Sequence, residues 1–352
     1  LVQYLHTIGA LPGLKSHDEL YKELDHTLFS IALPPEYNPS KESDFKKGVS
    51  SMAQFYTSLV SLVGLKNTIS IELAVEHTDN NILIYVGIPK NSIDGFEKLV
   101  HAFFPGSAVE EVVDDFNIFP SHTHSVAASS LALKESSYLP LKTYNDFDTD
   151  PFTATLGALS QLAQEGEGCA IQLILSESKN RIAERNTHII ESAKAGAGKV
   201  SDLYKSATES VLGSLTKEAF SLFKSSKEKE GEKEKEIDTK GIELLEKKND
   251  SRIVEATLRI VTAAQTPERA TELRRSIEAS FGQYTHIGGN SIEWKEAKGK
   301  DLIDTCKAFS FRRQSETVAE LSINEVASMV HFPNPHTFEP LLLLPVGRSG
   351  FN

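Results

Sequence analysis

The same succession of hydrophobic rhythms occurs twice in this 352-residue chain, and a long polar stretch interrupts only the second occurrence. In the first, Thr27 to Leu33 has strand character and stops at Pro34-Pro35. Asp44 to Val63 then sets Val49, Met52, Phe55, Tyr56, Leu59, Val60 and Val63 on one helical face, with Gly64 as a natural stop. Thr68 to His77 alternates Ile69, Ile71, Leu73 and Val75, which predicts a half-buried strand. Asp79-Asn80-Asn81 turns it back into Ile82 to Ile88. Ser92 is placed to cap a helix from Ile93 to Phe104, Pro105-Gly106 ends it, and Ala108 to Val113 closes the unit as a strand.

The second occurrence repeats the order. Ser125 to Lys134 supplies strand material, extending toward Leu139 to Lys142. Asp150-Pro151 opens a helix to about Ala163, because Asp caps and proline fits the first position, where no amide partner is needed. Cys169 to Ser176 and Arg252 to Ala263 read as strands, Thr266-Pro267-Glu268 opens a helix through about Tyr284, and Asn290 to Lys295 closes the unit. Strand, helix, strand, strand, helix, strand is the split β-α-β order. The expected fold is therefore α+β: two tandem ferredoxin-like (βαββαβ) sandwiches at 27–120 and 121–300, each with two helices over one face of an antiparallel sheet. Residues 1–26 form an N-terminal extension with a short helix at Asp18 to Leu24. Residues 301–352 form a C-terminal helix, with a capping box at Ser322 and Glu325, and an extended exit segment.

The interruption, 179–250, has two characters. Val200, Leu203, Tyr204, Val211, Leu215, Phe220 and Phe223 lie at amphipathic helical spacing. They suit a helical hairpin packed on itself or a partner-contact arm. Ser225 to Glu236 is a Lys/Glu run of the kind that stays solvated.

Charge and motifs narrow the chemistry. A net charge of −12 disfavours a duplex-binding surface, since nucleic-acid affinity rests on cations meeting phosphates. Arg259, Arg269, Arg274, Arg275, Arg312 and Arg313 give the last third a basic tendency, with Arg274 and Arg275 expected on a solvated helix face. Two distant cysteines, Cys169 and Cys306, point to a reducing compartment, with one bridge between them left open. The longest apolar cluster, Leu341 to Val346, is far too short to span a membrane.

Gly196-Ala197-Gly198-Lys199-Val200 resembles a phosphate-binding loop. It has Ala193 where glycine is required and Val200 where Ser or Thr must hold magnesium, so it reads as a break between helices. Asp146, Asp148 and Asp150 open like a calcium loop, but Pro151 and Gly157 fall where Gly and Glu belong. His122 and His124 have no further metal ligands nearby. Sequence reasoning thus assigns no catalytic, cofactor-binding or metal-binding residue.

Three stretches carry a family resemblance: SMAQFYTSLVSLVG (51–64), DPFTATLGALSQLAQEGEGCAIQLIL (150–175) and LSINEVASMVHFPN (321–334). They resemble the region preceding the motor domain in bacterial type IV secretion and conjugative DNA-transfer ATPases of the HerA–FtsK superfamily. In those proteins a short helix ending in His-Phe-Pro leads into the motor. Here only eighteen residues follow Asn334, without a nucleotide-binding loop, so no ATPase residue carries over. The resemblance implies a non-catalytic accessory domain on the cytoplasmic side of the inner membrane, acting in oligomerisation and docking of protein partners, with Leu1 and Asn352 as cuts within a longer protein. The alternatives are a stand-alone structural or adaptor protein, a single-stranded nucleic-acid binder, and an enzyme with a dispersed site.

Overall fold

A computed structural model describes residues 26–34, 45–65, 67–75, 81–113, 116, 118, 125–162, 166–178, 182–209, 237–315 and 318–333. In chain order the elements are β1 (His26–Ala32), α1 (Phe45–Val63), β2 (Thr68–Val75), β3 (Ile82–Pro89), α2 (Ile93–Phe103), β4 (Ala108–Glu111), β5 (Ser125–Leu133), α3 (Phe152–Leu159) and β6 (Gly168–Glu177). Then come α4 (Ile182–Lys194), α5 (Val200–Glu209), α6 (Thr239–Lys248), β7 (Ile253–Ala264), α7 (Pro267–Ser280), β8 (Ile292–Glu296), α8 (Lys300–Ser310), β9 (Ala319–Ser322) and α9 (Ile323–Met329). The fold is α+β. The expected helix at Asp18 to Leu24 and the pair His122/His124 lie outside the described residues.

Local chemistry sets the boundaries. Gly64 adopts φ +71, which a side chain would strain, and its N–H closes α1 onto the Val60 carbonyl. The Phe152 N–H donates to Asp150 Oδ1 at 2.9 Å, so Asp150 caps α3 as expected. Thr266 accepts from the Arg269 N–H ahead of Pro267, and Ser322 and Glu325 form the reciprocal capping box. Ser92 departs from expectation: its hydroxyl turns to Asn91 Oδ1 and caps nothing.

The strands form a single antiparallel sheet in the order β4-β1-β3-β2-β6-β7-β5-β8, with β9 paired to β7. The two halves are therefore continuous, where the sequence reading made them separate sandwiches. β2 and β6 pair along their length, from Thr68↔Ser176 to Val75↔Cys169. Being central, both strands are buried on both faces, so the half-buried reading of 68–77 is corrected. Ile69, Ile71, Leu73 and Val75 face the large core under α1, α2, α3, α7 and α9. The opposite face is covered by α8 and by Phe116 and Ile118, with Tyr85, Ala170, Val261, Cys306 and Phe309 in that second core. α8 is thus part of the fold, and the exit segment expected at 335–352 lies outside the described residues. Cys169 and Cys306 belong to opposite faces and are free thiols, which removes the bridge between them.

Across the second face runs a row of polar side chains at matched register: Tyr85, Glu72, Gln172 and Arg259. Gln172 Nε2 donates to Glu72 Oε1 at 3.1 Å and to the Phe309 carbonyl at 2.8 Å. Arg259 donates to Gln172 Oε1 at 2.8 Å, to the Arg313 carbonyl at 2.6 Å and to Ser315 Oγ at 3.0 Å. Arg312, with φ +51, places its Nε 2.9 Å from Glu72 Oε1. Burial lowers the Arg259 guanidinium to about 10, against the opposing pull of Glu72. The expected basic surface is corrected in part: Arg275 is solvated as expected and Arg313 is exposed, but three of the arginines are not on the surface. Arg259 and Arg312 are interior, and Arg274 is buried against Glu278 and Glu296, because each has a carboxylate or carbonyl to meet it.

Candidate docking cleft

An opening lined by both polar and apolar groups lies where β5 and β9 share one side of β7. β5 pairs with β7 from Ser125↔Ala264 to Ser130↔Arg259, and β9 takes over from Ala256↔Ala319 to Ile253↔Ser322. Past Ser130, β5 stays with β8, through Leu133↔Ile292. The resulting fork holds a cleft of about 490 Å³, walled by 131–133 and 135–137 on one side and 318–320 on the other. Arg185 and Tyr204 close it from the insertion, and Lys295 stands at its β8 side.

The polar groups inside are bonded to one another. Ser137 Oγ donates to Glu320 Oε2 at 2.7 Å and lies 2.9 Å from the Tyr204 hydroxyl. Arg185 donates to the same hydroxyl at 2.8 Å, lies over the Tyr204 ring at 4.8 Å and has Glu320 at 3.8 Å. Tyr138 packs on Tyr204 with ring centroids 4.3 Å apart. Burial raises the Tyr204 phenol above its ordinary value, with the Ser137 and Arg185 hydrogen bonds pulling the other way, so it stays protonated near neutrality.

The three described helices of the insertion, which supply Arg185 and Tyr204, pack on one another and on the body of the fold. α4, α5 and α6 share a small core of Ile189, Ala193, Val200, Leu203, Tyr204, Ile242 and Leu245. Gly196 at φ +74 and Gly198 at φ +155 turn the chain between α4 and α5, as expected of a helix break. Asp238 accepts from the Val200 N–H and from the Gly241 N–H, both at 3.0 Å. The N-terminus that a phosphate-binding loop would offer is therefore filled by a carboxylate of the chain itself. α6 is tied to the body by Lys248, which donates to Glu325 Oε2 at 2.6 Å with both side chains 1% exposed. Glu325 also accepts from the Leu141 and Ser322 N–H groups, each at 2.7 Å. Lys247 meets both oxygens of Asp146, at 2.6 and 2.8 Å.

Of the proposed arm, Val200 and Leu203 are interior to this helical core, because their face meets α4 and α6. Tyr204 is buried there too, but turns its hydroxyl to the cleft. Val211, Leu215, Phe220 and Phe223 lie outside the described residues. Asp146 and Asp150 do not converge: one holds Lys247, and the other lies 3.1 Å from His331 Nε2. Among the described residues no group of three or more His, Cys, Asp or Glu could hold a metal ion. Sequence reasoning did not single out Ser137, Arg185, Lys295 or Glu320, whose spacings along the chain carry no motif. A helix-borne Arg185 and Tyr204 on either side of a Gly break was the one available hint.

A family model described as "Domain of unknown function (DUF8128)" matches residues 13–340. No curated protein matches the chain. Among the described residues no helix is long and apolar enough to cross a membrane.

Proposed function

We propose that this chain, which belongs to the family described as a domain of unknown function (DUF8128), is a non-catalytic docking and assembly module. It is built from two ferredoxin-like units whose inner edges, β2 and β6, have fused. Its strand orders, β4-β1-β3-β2 and β8-β5-β7-β6, support that reading of the halves. The carrying observation is the state of the cleft. Glu320 is met by Ser137 and Arg185, and the Tyr204 phenol is kept protonated. A general base or nucleophile needs an accessible group whose pKa is brought toward working pH. These groups are instead engaged with one another around walls of strand backbone, which suits recognition.

The resemblance of 51–64, 150–175 and 321–334 to the pre-motor region of type IV secretion and conjugative DNA-transfer ATPases supports the class of machine it serves. The acidic charge of −12 favours protein partners over nucleic acid. The reading places the chain on the cytoplasmic side of such a machine. To test it, the purified chain is mixed with the translocation ATPase of its own genome. Co-elution in size-exclusion chromatography and no ATP turnover by the chain alone are expected. Turnover by the chain alone that disappears in Arg185→Ala or Glu320→Gln, or failure to co-elute, overturns it.

A further inference from the structure

Among the described residues Ile287 is the most exposed large hydrophobic, at 91%. An exposed apolar side chain by itself needs no explanation. The loop that raises this one, 285–290, sets it apart. The His286 N–H donates to the Asn290 carbonyl and the Gly289 N–H to the His286 carbonyl, both at 2.9 Å, which closes the loop on itself. Asn290, which is buried, ties the base of the loop to segment 135–140. Its Oδ1 accepts from the Glu135 N–H at 2.9 Å, and its Nδ2 donates toward the Glu135, Ser136 and Leu139 carbonyls at 3.2, 3.0 and 3.3 Å. The Asn290 N–H donates to the Pro140 carbonyl at 2.8 Å. Gly288 turns at φ +80, and a Cβ on Gly289 would stand 2.4 Å from the Pro140 carbonyl oxygen. The tip is therefore held in one shape before any partner arrives, which lowers the ordering cost of binding. Glu135 and Ser136 also line the cleft, so tip and cleft share one segment of chain.

The surroundings of the tip add a second apolar group and charge. Lys240, on the first turn of α6, reaches the loop: a Cβ on Gly288 would lie 3.4 Å from Lys240 Nζ. Ile237, just before the Asp238 cap of that helix and one turn from Lys240, is 51% exposed. Lys142 acts on His286 through its charge, as does Lys247. Lys247 is neutralised by Asp146, whereas Lys142 and Lys240 make no ion pair among the described residues. Two uncompensated cations thus flank the tip on a chain of net charge −12.

We propose that this tip is a docking knob: Ile287 seats in an apolar pocket of a partner protein, Ile237 packs at the pocket's edge, and carboxylates on its rim meet Lys240 and Lys142. Two isoleucines and two lysines give only marginal hold on a lipid surface. A two-fold contact between copies through the tip would set Lys240 against Lys240. The proposal rests on the docking reading above and names the residues that dock and the surface they fit.

The test pans a phage library of protein fragments from the chain's own genome on the full chain and on Ile287→Asp in parallel. Biolayer interferometry then measures each enriched fragment. Fragments with Asp and Glu around apolar residues are expected. Ile287→Asp should weaken them at least about tenfold and Ile237→Ser about threefold. Lys240→Glu, which the start of a helix tolerates, should weaken them and flatten their salt dependence. All three side chains are exposed, so Tm should stay at the parent value. No Ile287-dependent fragment overturns the knob. So does Ile287-dependent sedimentation with phosphatidylglycerol vesicles, or an Ile287-dependent dimer of the chain alone. If the ATPase co-elutes equally with the parent and with Ile287→Asp, and no fragment depends on Ile287, the knob falls and docking stands. If Ile287-dependent fragments are found and the ATPase fails to co-elute, the knob stands and the assignment to that machine falls.

Discussion

Removing the ammonium of Lys248 isolates its effect well, because Lys248→Met keeps the side chain's length and apolar stem while leaving the Glu325 carboxylate without its cation. Both groups are 1% exposed, so water cannot replace the lost partner. Breaking a buried ion pair from one side typically costs about 3–5 kcal/mol, since the remaining charge stays buried. The Leu141 and Ser322 amides still hold Glu325, which places the expected loss toward the lower end of that range. At about 2 cal/mol/K of unfolding entropy per residue, a loss of about 3 kcal/mol over 352 residues lowers Tm by roughly 4 °C. Urea denaturation followed by circular dichroism measures the loss, and hydrogen exchange locates it. Protection should fall first in α4, α5 and α6, because Lys248 fixes that layer to the capping box of α9. Glu325→Gln combined with Lys248→Met should cost about 2 kcal/mol less than the two single changes summed. A Lys248→Met loss below about 1 kcal/mol, with exchange in the insertion unchanged, refutes the claim that this pair anchors the helical layer.

Other outcomes follow from the same geometry. Burial alone would raise Asp150, but His331 beside it and the Phe152 amide hold its carboxyl below the ordinary value. A folded pKa below the unfolded one means that this stabilisation is full above about pH 4 and fades as pH falls through the folded value. Asp150→Asn should therefore be less stable at neutral pH and show a shallower loss of stability on acidification, read by denaturation at several pH values. Gly168→Ala should destabilise by about 1–3 kcal/mol, because its Cβ would stand 2.1 Å from the Ile118 carbonyl oxygen; a Tm equal to that of the parent contradicts this. Burial raises both thiols, Cys306 to about 12, so neither should react with Ellman's reagent at pH 8 until denaturant is added; rapid labelling of the native chain would exclude the packing described for α8.

Much of the element order was legible because its signals are local. Asp150-Pro151, Thr266-Pro267 and the Ser322/Glu325 box act within three residues of the helices they start, and a reader of the sequence meets cause and effect together. The joining of the halves was not legible. β2 and β6 are about a hundred residues apart, and nothing in either strand names the other. The second layer escaped for the same reason, since α8 reads as a tail until the face it covers is known. A usable trace did exist: TISIELAV, CAIQLILS and ATLRIVTA each set one long, strongly hydrogen-bonding side chain among apolar and small residues, at Glu72, Gln172 and Arg259. Three such interruptions in strands that are otherwise fit for burial signal a shared interior network. The cleft was the least legible feature. Its residues come from β5, the insertion, β8 and β9, and only topology gathers them.

The seam between β2 and β6 also bears on how copies of this chain treat one another during synthesis. Each half has short-range pairings of its own and can condense first, yet until the other half arrives its inner strand is a long apolar edge with unmatched amides. Another nascent copy offers the same complementary strand, though without the effective concentration that the tether gives the chain's own second half. Exchange of β6 between two molecules at this seam would give an intertwined dimer, the usual hazard of a sheet closed by two halves distant in sequence. Glu72 and Gln172 discipline that exchange. A slip of one residue would turn one of them into the apolar layer under α1 and separate it from the other, so only the in-register pairing keeps both in their polar row.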